Sequence, residues 1–342
     1  MKKNYLLKKP LIADTKIRNI CYRMVASKGV LLCLELGIFD FIGEKPRSLE
    51  EVAHKFDLVL VKAQALLSIC CAEKLINYKK KFYYPLPIMV EYLCKNSPFY
   101  YGDFMKFLYI DMDSVRSYTI LKNSICNNMS AKLGEKLFGK EFYSSNIVSK
   151  FAYAMHSKSL APSKIWPECI ELTNKKTFID VGGGLGTHAI AACEKYENLN
   201  AIILDRKEVI ELGNKFITNM YARKRIQFLS CDFLKEAIPR ADVYFLSDIL
   251  HDWKEQVCKS LLKKIYDKLD HKGVIIIHEI FFNNMKTGSI AAAAYNLSMN
   301  IFSDGNQYSK KEVFKMLKEL GFVNVKYKDT FGDWGIITAL RP

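Results

Sequence analysis

Residues 178–186, FIDVGGGLG, decide the fold predicted for this chain. The apolar residues on both sides of Asp180 predict a buried strand, and the glycines that follow predict a tight turn opening a helix at Thr187. Glycine lets a backbone approach a ligand closely, and the N-terminus of a helix offers free N–H groups. We therefore expect a small-molecule site at this turn.

Two classes of ligand fit the turn. Residues 184–189, GLGTHA, satisfy the G-x-G-x-x-A fingerprint of dinucleotide-binding folds. Asp180, two residues before the first glycine, argues against a pyrophosphate, which its carboxylate would repel, and suits a cationic ligand. Asp205 ends the next predicted strand, where a carboxylate accepts both hydroxyls of a ribose, in NAD and in S-adenosylmethionine alike.

Strands and helices alternate from this turn towards the C-terminus, which predicts an α/β class with a doubly wound, mostly parallel sheet. Two final strands, at 323–327 and 334–339, are joined by a short turn and predict an antiparallel hairpin at the edge of the sheet. The other predicted strands are 177–181, 201–204, 226–229, 243–246 and 273–278, and the predicted helices are 187–196, 206–220, 254–269 and 309–320.

Acidic residues follow three successive predicted strands. Asp180 belongs to the first strand, Asp205 ends the second, and Asp232 with Phe233 follows the third, where the pair could hydrogen-bond an adenine amine and cover the ring. Parallel strands bring their C-terminal ends to one edge of a sheet, so we expect these acids in one site. For any one of them alone, a helix cap or a solvated loop is an equal alternative.

A histidine follows the fourth strand at the same edge, in residues 247–253, SDILHDW. His251 titrates near neutrality and could take a proton from a substrate hydroxyl, with Asp252 beside it. Glu279 ends the fifth strand, where a carboxylate could hold the imidazole in one tautomer and stabilise its protonated form. The pattern predicts a general base supported by a carboxylate.

The first half of the chain is predicted to be helical. Residues 14–43 have apolar positions at helical spacing, Ser48 begins a capping box, and a helix at 61–75 precedes a small β-wing at 79–84. This is a winged-helix pattern, which serves DNA binding in some proteins and dimerisation in others.

Residues 98–160 are also predicted to be helical and are rich in aromatic residues. Near Pro162 the predicted pattern changes from helices to alternating strands and helices, so we divide the chain into domains of residues 1–162 and 163–342. At 342 residues the chain is long enough for two such cores.

Composition excludes several classes of protein. Half of the residues are hydrophobic and 25% are charged, which is typical of a globular protein rather than a disordered or fibrous one. The ten cysteines lack metal-ligand spacing, and we expect neither disulfides nor a metal. No secretory leader and no membrane-spanning apolar run of about 18 residues is evident, so we expect a soluble, cytoplasmic protein without a membrane partner.

The net charge of +15 raises the alternative of a DNA-binding regulator. Residues 1–162 carry 25 basic and 14 acidic side chains, against 26 and 22 in the remainder. The winged-helix element that would read bases carries only Lys62 and Lys74 as cations, whereas readout needs Arg, Lys, Asn or Gln at base edges. We therefore expect no nucleic-acid partner.

Together, residues 180–186, residues 250–253, the strand end at Glu279 and the winged-helix half resemble the class I S-adenosylmethionine-dependent O-methyltransferases of the caffeic acid and bacterial polyketide-tailoring type. The resemblance covers residues 15–340. It implies a Rossmann-like cofactor domain with an antiparallel edge hairpin, preceded by a mainly α-helical winged-helix domain that forms a homodimer. His251 would then deprotonate a phenol or enol hydroxyl, and S-adenosyl-L-methionine would be the cofactor.

The resemblance also implies roles for single residues. Two positions depart from the family's pattern: Ser247 stands where plant relatives have a cofactor-contacting lysine, and Gln307 stands where many relatives have a second glutamate beside the histidine. Glutamine can hydrogen-bond an imidazole but cannot offset its positive charge. The implied cofactor contacts are Gly182 and Gly184 with the methionine part, Asp205 with the ribose, Asp232 and Phe233 with the adenine, and Ser159 with Met155 in a linker segment that closes over cofactor and substrate.

The substrate is expected to be a flat, largely apolar aromatic or polyketide-like small molecule. A helix at 291–302 would present Tyr295, Met299 and Phe302 on one face with Ser298 beside them, although such a stripe is equally typical of a core. One alternative keeps the cofactor and drops the transfer, because some family members use bound S-adenosylmethionine only as an electrostatic element in dehydration or pericyclic rearrangement.

Overall fold

The computed structural model describes residues 9–113, 117–127, 147–217, 221–302 and 305–342. The chain divides into two units, Met1–Tyr109 and Ile110–Pro342. The predicted boundary after residue 162 stays a prediction. The structural units divide earlier because the helix Ile147–Ile165 packs against the helices of the second unit.

The described part of the first unit is mainly helical, as expected. Its Ser48 capping box is confirmed, because the Ser48 hydroxyl accepts from the Glu51 N–H at 3.2 Å and the Ser48 N–H donates to the Glu51 carboxylate at 2.7 Å. Strands β1 (Arg47–Ser48), β2 (Ile76–Lys79) and β3 (Phe82–Pro85) form an antiparallel sheet in the order β1-β3-β2. The described helices are α1 (Thr15–Leu36), α2 (Ile38–Glu44), α3 (Leu49–Lys55), α4 (Leu60–Ala72), α5 (Pro87–Leu93) and α6 (Gly102–Lys106).

The sequence predicts a self-association surface on the helices of residues 1 to about 110 from eight apolar positions: Leu31, Leu32, Leu34, Ile38, Phe39, Leu66, Leu67 and Ile69. Leu31, Leu34, Ile38, Phe39 and Leu67 look too apolar for a free surface, yet all five are buried in the unit's own core. Several apolar residues towards the start of α1 remain on the surface, and four of them are each more than 60% exposed: Ile17, Ile20, Met24 and Val25.

The second unit contains a seven-stranded sheet in the order β6-β5-β4-β7-β8-β10-β9. Strands β4 to β8 are parallel, and β10 pairs antiparallel with both β8 and β9, so the predicted doubly wound sheet with an antiparallel edge hairpin is confirmed. The strands are β4 (Thr177–Val181), β5 (Asn200–Asp205), β6 (Ile226–Ser230), β7 (Ala241–Ser247), β8 (Leu269–Glu279), β9 (Val323–Asp329) and β10 (Gly335–Leu340).

Helices flank this sheet. The helix predicted at 206–220 is described from 207 to 216, and residues 218–220 lie outside the described part, as do residues 114–116 and 128–146 of the region predicted to be helical. A π-helical turn spans Phe107–Asp111, and a 3₁₀ turn at Leu250–Asp252 carries His251. The helices are α7 (Tyr118–Asn127), α8 (Ile147–Ile165), α9 (Thr187–Lys195), α10 (Lys207–Phe216), α11 (Glu255–Lys268), α12 (Ile290–Phe302) and α13 (Lys310–Glu319).

The sheet is buried on both faces, which explains why its central strands are almost wholly apolar. Side chains alternate along a strand, so Val181 and Leu246 enter one core while Phe178 and Phe245 enter the other. The order of β4 between β5 and β7 makes the C-terminal end of β4 a topological switch point, where sheets of this kind bind ligands. Among the described helices, none has both the length and the apolar character needed to cross a bilayer.

Candidate active site

The glycine turn after β4 has the geometry of a ligand cradle. Gly182, Gly184 and Gly186 have φ angles of +67°, +59° and +84°, which L side chains rarely adopt. A Cβ atom at Gly184 would meet nothing within 4 Å, so open space faces this glycine, whereas one at Gly182 would collide with the Ile249 side chain. The turn therefore presents bare backbone to a space beside the sheet.

Asp180 faces this turn from the end of β4. Its side chain is buried, and its Oδ2 atom has no hydrogen-bond partner among the described residues. Burial raises the pKa of Asp180 to about 7, the charge of Asp205 adds to the rise, and a hydrogen bond from the Ala189 N–H opposes it. A buried carboxylate oxygen without a donor suits a cationic ligand, as the sequence predicts.

Asp205 ends β5 beside the same turn. Its Oδ2 accepts from the Gly184 N–H at 2.9 Å, and its Oδ1 accepts from the Arg206 N–H at 2.7 Å. Burial raises the pKa of this carboxyl against those two hydrogen bonds. Each carboxylate oxygen keeps a second lone pair, so two neighbouring ribose hydroxyls could still donate to it.

The acidic residue after β6 has a partly local role. Oδ1 of Asp232 accepts from the N–H groups of Leu234 and Lys235 at 3.2 and 3.3 Å, and Oδ2 lies 3.2 Å from the Lys235 ammonium. Phe233 packs on the core near Gly182. Asp232 therefore caps the turn that follows it, which is the alternative role that the sequence allows. Its half-buried side chain still lies at the C-terminal edge of the sheet, where the ligand site is expected.

His251 and Glu279 meet where β7 and β8 end. His251 Nδ1 lies 2.8 Å from Glu279 Oε2, and the other carboxylate oxygen accepts from the Leu250 N–H at 3.2 Å. Both side chains are only 4% exposed. Asp252 Oδ1 lies 3.6 Å from His251 Nε2, so carboxylates stand at both ring nitrogens.

These charges determine the protonation of the cluster. Burial by itself lowers the pKa of His251, but the charges of Glu279, Asp252 and Asp248 and the hydrogen bond to Glu279 outweigh it and raise the pKa to about 9. Burial raises the pKa of Asp252 to about 6, against the opposing charge of His251. The imidazole is therefore protonated at neutral pH in the unliganded protein.

Gln307 reaches the cluster differently from the sequence-based expectation. Its Nε2 donates to Glu279 Oε2 at 3.4 Å and to the Ile280 carbonyl, so it contacts the carboxylate and not the imidazole. Its backbone N–H donates to Asn296 Oδ1 at 2.9 Å, which ties the segment to α12. A glutamate at position 307 would bring a negative charge that Gln307 lacks. Asp248 brings a negative charge to the same imidazole, because its Oδ1 lies 3.6 Å from His251 Nδ1.

Two further site residues, Lys158 and Asp248, have no predicted role in the sequence analysis. Lys158 Nζ lies 2.6 Å from Asp248 Oδ2 and 2.6 Å from the Tyr295 hydroxyl, and the Tyr295 ring contacts the His251 ring at a centroid distance of 4.9 Å. The position of each residue in the sequence could have indicated its place in the site. Asp248 follows β7 beside the histidine motif, and Lys158 lies three residues after Met155 on the same helix face.

Asp248 also has an unusual backbone. Its φ of +55° lies in the left-handed region, where a residue other than glycine costs about 1–3 kcal/mol unless its surroundings hold it. The Asp248 N–H donates to the His278 carbonyl at 3.2 Å, and the side chain is held by Lys158. The Asp248 carboxylate lies between Lys158 and His251.

Three ligand-type atoms, from Asp248, His251 and Glu279, lie within 4.8 Å of one another and could reach one metal ion. Asp248 already pairs with Lys158 through its Oδ2 atom, and His251 and Glu279 pair with each other. We therefore interpret the group as a proton-holding cluster.

The remaining predicted site residues are placed as follows. Ser247 Oγ lies 2.8 Å from Nδ1 of the buried His278, so its hydroxyl already has a partner inside the protein. The helix predicted at 291–302 is confirmed as α12, and the side chain of Phe302 lies outside the described part of the chain. Four predicted residues are half-buried on α8 and α12: Met155, Ser159, Ser298 and Met299.

Known proteins are similar to this chain over most of its length. A sequence model of the O-methyltransferase domain matches residues 119–323. Acetylserotonin O-methyltransferase of Gallus gallus is 27% identical over 331 residues, covering 90% of this chain and 91% of that protein. The 3-hydroxy-5-methyl-1-naphthoate 3-O-methyltransferase of Streptomyces sahachiroi is 23% identical over 315 residues, covering 91% and 90%.

Solved structures match over nearly the whole chain. Human N-acetylserotonin methyltransferase in complex with S-adenosylmethionine superposes with a TM-score of 0.85 at 23% identity, covering 98% of this chain and 99% of that one. A methyltransferase of calicheamicin biosynthesis, in its S-adenosylhomocysteine-bound form, gives 0.82 at 16% identity, covering 98% and 100%. The chain belongs to the O-methyltransferase family. Its cofactor is S-adenosyl-L-methionine, so the resemblance read from the motifs is confirmed.

Proposed function

We propose that this enzyme methylates a hydroxyl oxygen of a small aromatic or polyketide-like molecule, with His251 as the general base. The observation that carries the proposal is the buried 2.8 Å contact between His251 Nδ1 and Glu279 Oε2, at the sheet edge that holds the glycine turn. Because Glu279 engages Nδ1, Nε2 is the atom left to take a proton from a substrate hydroxyl.

The cofactor supplies an electrophilic methyl group on a sulfonium when it is bound. Asp180 would face the cationic methionine end, since its buried Oδ2 lacks a donor among the described residues. Asp205 would accept the ribose hydroxyls, and Asp232 with Phe233 would hold the adenine. Gly182 and Gly184 would line the methionine part, with Ser159 and Ser247 as the further contacts carried over from the family.

The proton transfer uses the charged cluster. His251 would accept the hydroxyl proton on Nε2 while the substrate oxygen attacks the methyl carbon in line, and Glu279 would stabilise the imidazolium so formed. Asp252, 3.6 Å from Nε2, adds to that stabilisation. Since the pKa of His251 is about 9, its basic form becomes populated as the pH approaches that value.

The substrate would lie against α12. Tyr295, Ser298 and Met299 are half-buried there, and Tyr295 contacts the base through its ring edge. Met155 on α8 and Phe302 at the end of α12 complete the proposed lining. The names of the relatives give an indole amide and a naphthoate as acceptors, both flat and aromatic, which supports this substrate class.

We further propose a homodimer formed through the N-terminal residues, 1–162 in the predicted division. The apolar start of α1 supports it, because exposed apolar patches of several hundred Å² usually mark interfaces. The winged-helix assignment, the cytoplasmic location and the lack of a nucleic-acid partner stay predictions.

The test is a panel of acceptors with S-adenosylmethionine, including N-acetylserotonin, hydroxynaphthoates and simple phenols. We expect a methylated product and one S-adenosylhomocysteine for each acceptor consumed, measured by mass spectrometry, and a much slower reaction with His251→Ala. An acceptor that is converted without S-adenosylhomocysteine would mean that the cofactor only assists another reaction. Turnover confined to non-aromatic acceptors would contradict the proposed substrate class.

A further inference from the structure

Lys158 is a buried cation that the mechanism above does not use. Its side chain is 4% exposed, in the middle of α8. A charge leaves water at a large cost unless it is paired, and Lys158 is held by Asp248 and by the Tyr295 hydroxyl, each at 2.6 Å. The faces of Tyr295 and Trp334 lie 4.3 and 5.1 Å from the ammonium and add cation–π contacts.

Asp248 connects this ammonium to the base. Oδ2 of Asp248 accepts from Lys158, while Oδ1 lies 3.6 Å from His251 Nδ1 and has no hydrogen-bond partner among the described residues. One carboxylate therefore stands between two cations, and the electric field at the imidazole depends on how far Lys158 neutralises Asp248.

We propose that Lys158 and Asp248 form a positioning pair that sets how strongly His251 holds its proton. The inference rests on the proposed function, in which His251 is the general base. Asp248 gives the imidazole a second negative neighbour on the Nδ1 side, where Gln307 brings none. Lys158 offsets most of that charge, so the base can still lose its proton during turnover.

Other charged groups around His251 also act on the imidazole, and one of them, Asp252, itself responds to Asp248 and Lys158. Glu279 on β8 and Asp252 on the His251 loop are its charged neighbours besides Asp248. Tyr295 from α12 contacts the imidazole through its ring, Gln307 from the segment 305–309 carries no charge, and burial raises the pKa of Cys258 on α11 to about 12. Changing Lys158 or Asp248 therefore also moves the pKa of Asp252, which is about 6 against about 9 for His251, so the titration of His251 itself is the deciding measurement.

The test compares four variants with the wild type: Lys158→Met, Lys158→Arg, Asp248→Asn and the double variant K158M/D248N. The acidic limb of the kcat profile should move up by about one pH unit in Lys158→Met, because Asp248 then acts on His251 without its partner, and down by about as much in Asp248→Asn. The double variant should lie between these two, and Lys158→Arg should stay close to wild type because it keeps the charge.

The variants should show the same order of His251 pKa values in a measurement that needs no turnover. Protein labelled with ¹³C in its six histidines reports the His251 pKa directly by NMR titration, with and without S-adenosylhomocysteine, and His251→Ala assigns the signal. If the enzyme transfers no methyl group, this arm still tests the pair, so failure of the proposed function and failure of the inference are distinguishable.

Lys150→Met is the matched control, since Lys150 lies on the same helix and pairs with Asp111 at 2.5 Å but is 45% exposed. It should leave the His251 titration unchanged. Shifts in the same direction for Lys158→Met and Asp248→Asn, or no shift in either folded variant, would overturn the proposal. If Lys158→Met does not fold, Asp248→Asn alone decides, because the proposal requires a downward shift.

Discussion

His251 Nδ1 lies 2.8 Å from Glu279 Oε2, and this contact joins the ends of two neighbouring parallel strands. It orients the imidazole from inside the protein, where both side chains are almost fully buried. Glu279 belongs to β8 and His251 to the 3₁₀ turn after β7, so the contact ties that turn to the sheet.

Asp205→Ala should weaken binding of S-adenosylmethionine and S-adenosylhomocysteine by about 1.5–3 kcal/mol, the cost of a lost hydrogen bond to a charged group. The change also removes the acceptor for the Gly184 N–H, so the unfolding temperature must be measured alongside calorimetry. Asp205→Asn, which keeps one oxygen, should lose less affinity. We expect no binding of NAD to the wild type, and tight NAD binding would contradict the role given to Asp180.

Binding of S-adenosylmethionine should tighten about tenfold between pH 6 and pH 8, which is the change in the ionised fraction of a group whose pKa is about 7, as for Asp180. S-adenosylhomocysteine, which lacks the sulfonium charge, should respond less. Calorimetry over this pH range measures both ligands. Asp180→Asn should bind the cation more weakly and with little pH dependence, and an equal response of both ligands would exclude Asp180 as the charge partner.

His251→Ala should lower turnover by about 10² to 10⁴, the usual contribution of a general base, with cofactor affinity nearly unchanged. In the wild type, kcat should rise with pH, reach half of its maximum near pH 9 and level off about one pH unit higher, because only the neutral imidazole accepts a proton. The deficit of the variant should shrink as the pH approaches the pKa of the substrate hydroxyl. Full activity in His251→Ala would remove this residue from the mechanism.

The chain should form a dimer with twice its mass of 39.4 kDa in light scattering at micromolar concentration. Ile20→Glu combined with Met24→Glu should shift it to the monomer, because the exposed apolar start of α1 would then carry charges that cost free energy to bury. Lys55→Glu, which also adds negative charge to the same unit on an exposed side chain, should leave the mass unchanged. A wild-type monomer would contradict the proposed interface.

Stability should fall below pH 6.5 because of His188. Burial lowers its pKa to about 3, so the unfolded chain binds a proton that the folded protein rejects. The contribution of His188 to the free energy of unfolding is complete above the pKa of the unfolded chain and declines as the pH falls. At pH 5 the loss is about 2 kcal/mol. In urea unfolding at pH 7 and pH 5, His188→Gln should lose less stability between the two pH values than the wild type. His271→Gln, at an exposed histidine, should match the wild type.

The sequence predicts the sheet and its ligand-binding edge because both depend on short-range patterns. The strand at 177–181 has the same ends in prediction and structure, and the apolar runs around Asp180 and before Asp248 are the local signature of strands buried on both faces. Carboxylates at the ends of such strands must meet at one edge. The His251–Glu279 contact follows from the same topology.

The partners of individual polar groups are not predictable in this way. Lys158 and Asp248 are 90 residues apart, and a lysine on a helix is normally taken for a surface residue. Gln307 is expected beside the imidazole but donates to Glu279 and to a carbonyl, because the backbone path of residues 305–309 sets its reach. These contacts depend on long-range packing, which a single sequence does not encode locally.

Gly305 limits how this enzyme can be redesigned. Its Cα lies so close to the His251 carbonyl that a Cβ atom would overlap it, and the neighbouring Asn306 N–H donates to that carbonyl at 2.9 Å. Any side chain at position 305 would therefore displace the base along with the Gln307 segment. Mutant libraries meant to broaden acceptor choice should keep this glycine fixed and vary Ser298 and Met299 on α12 instead, while Tyr295, whose ring contacts His251, stays unchanged.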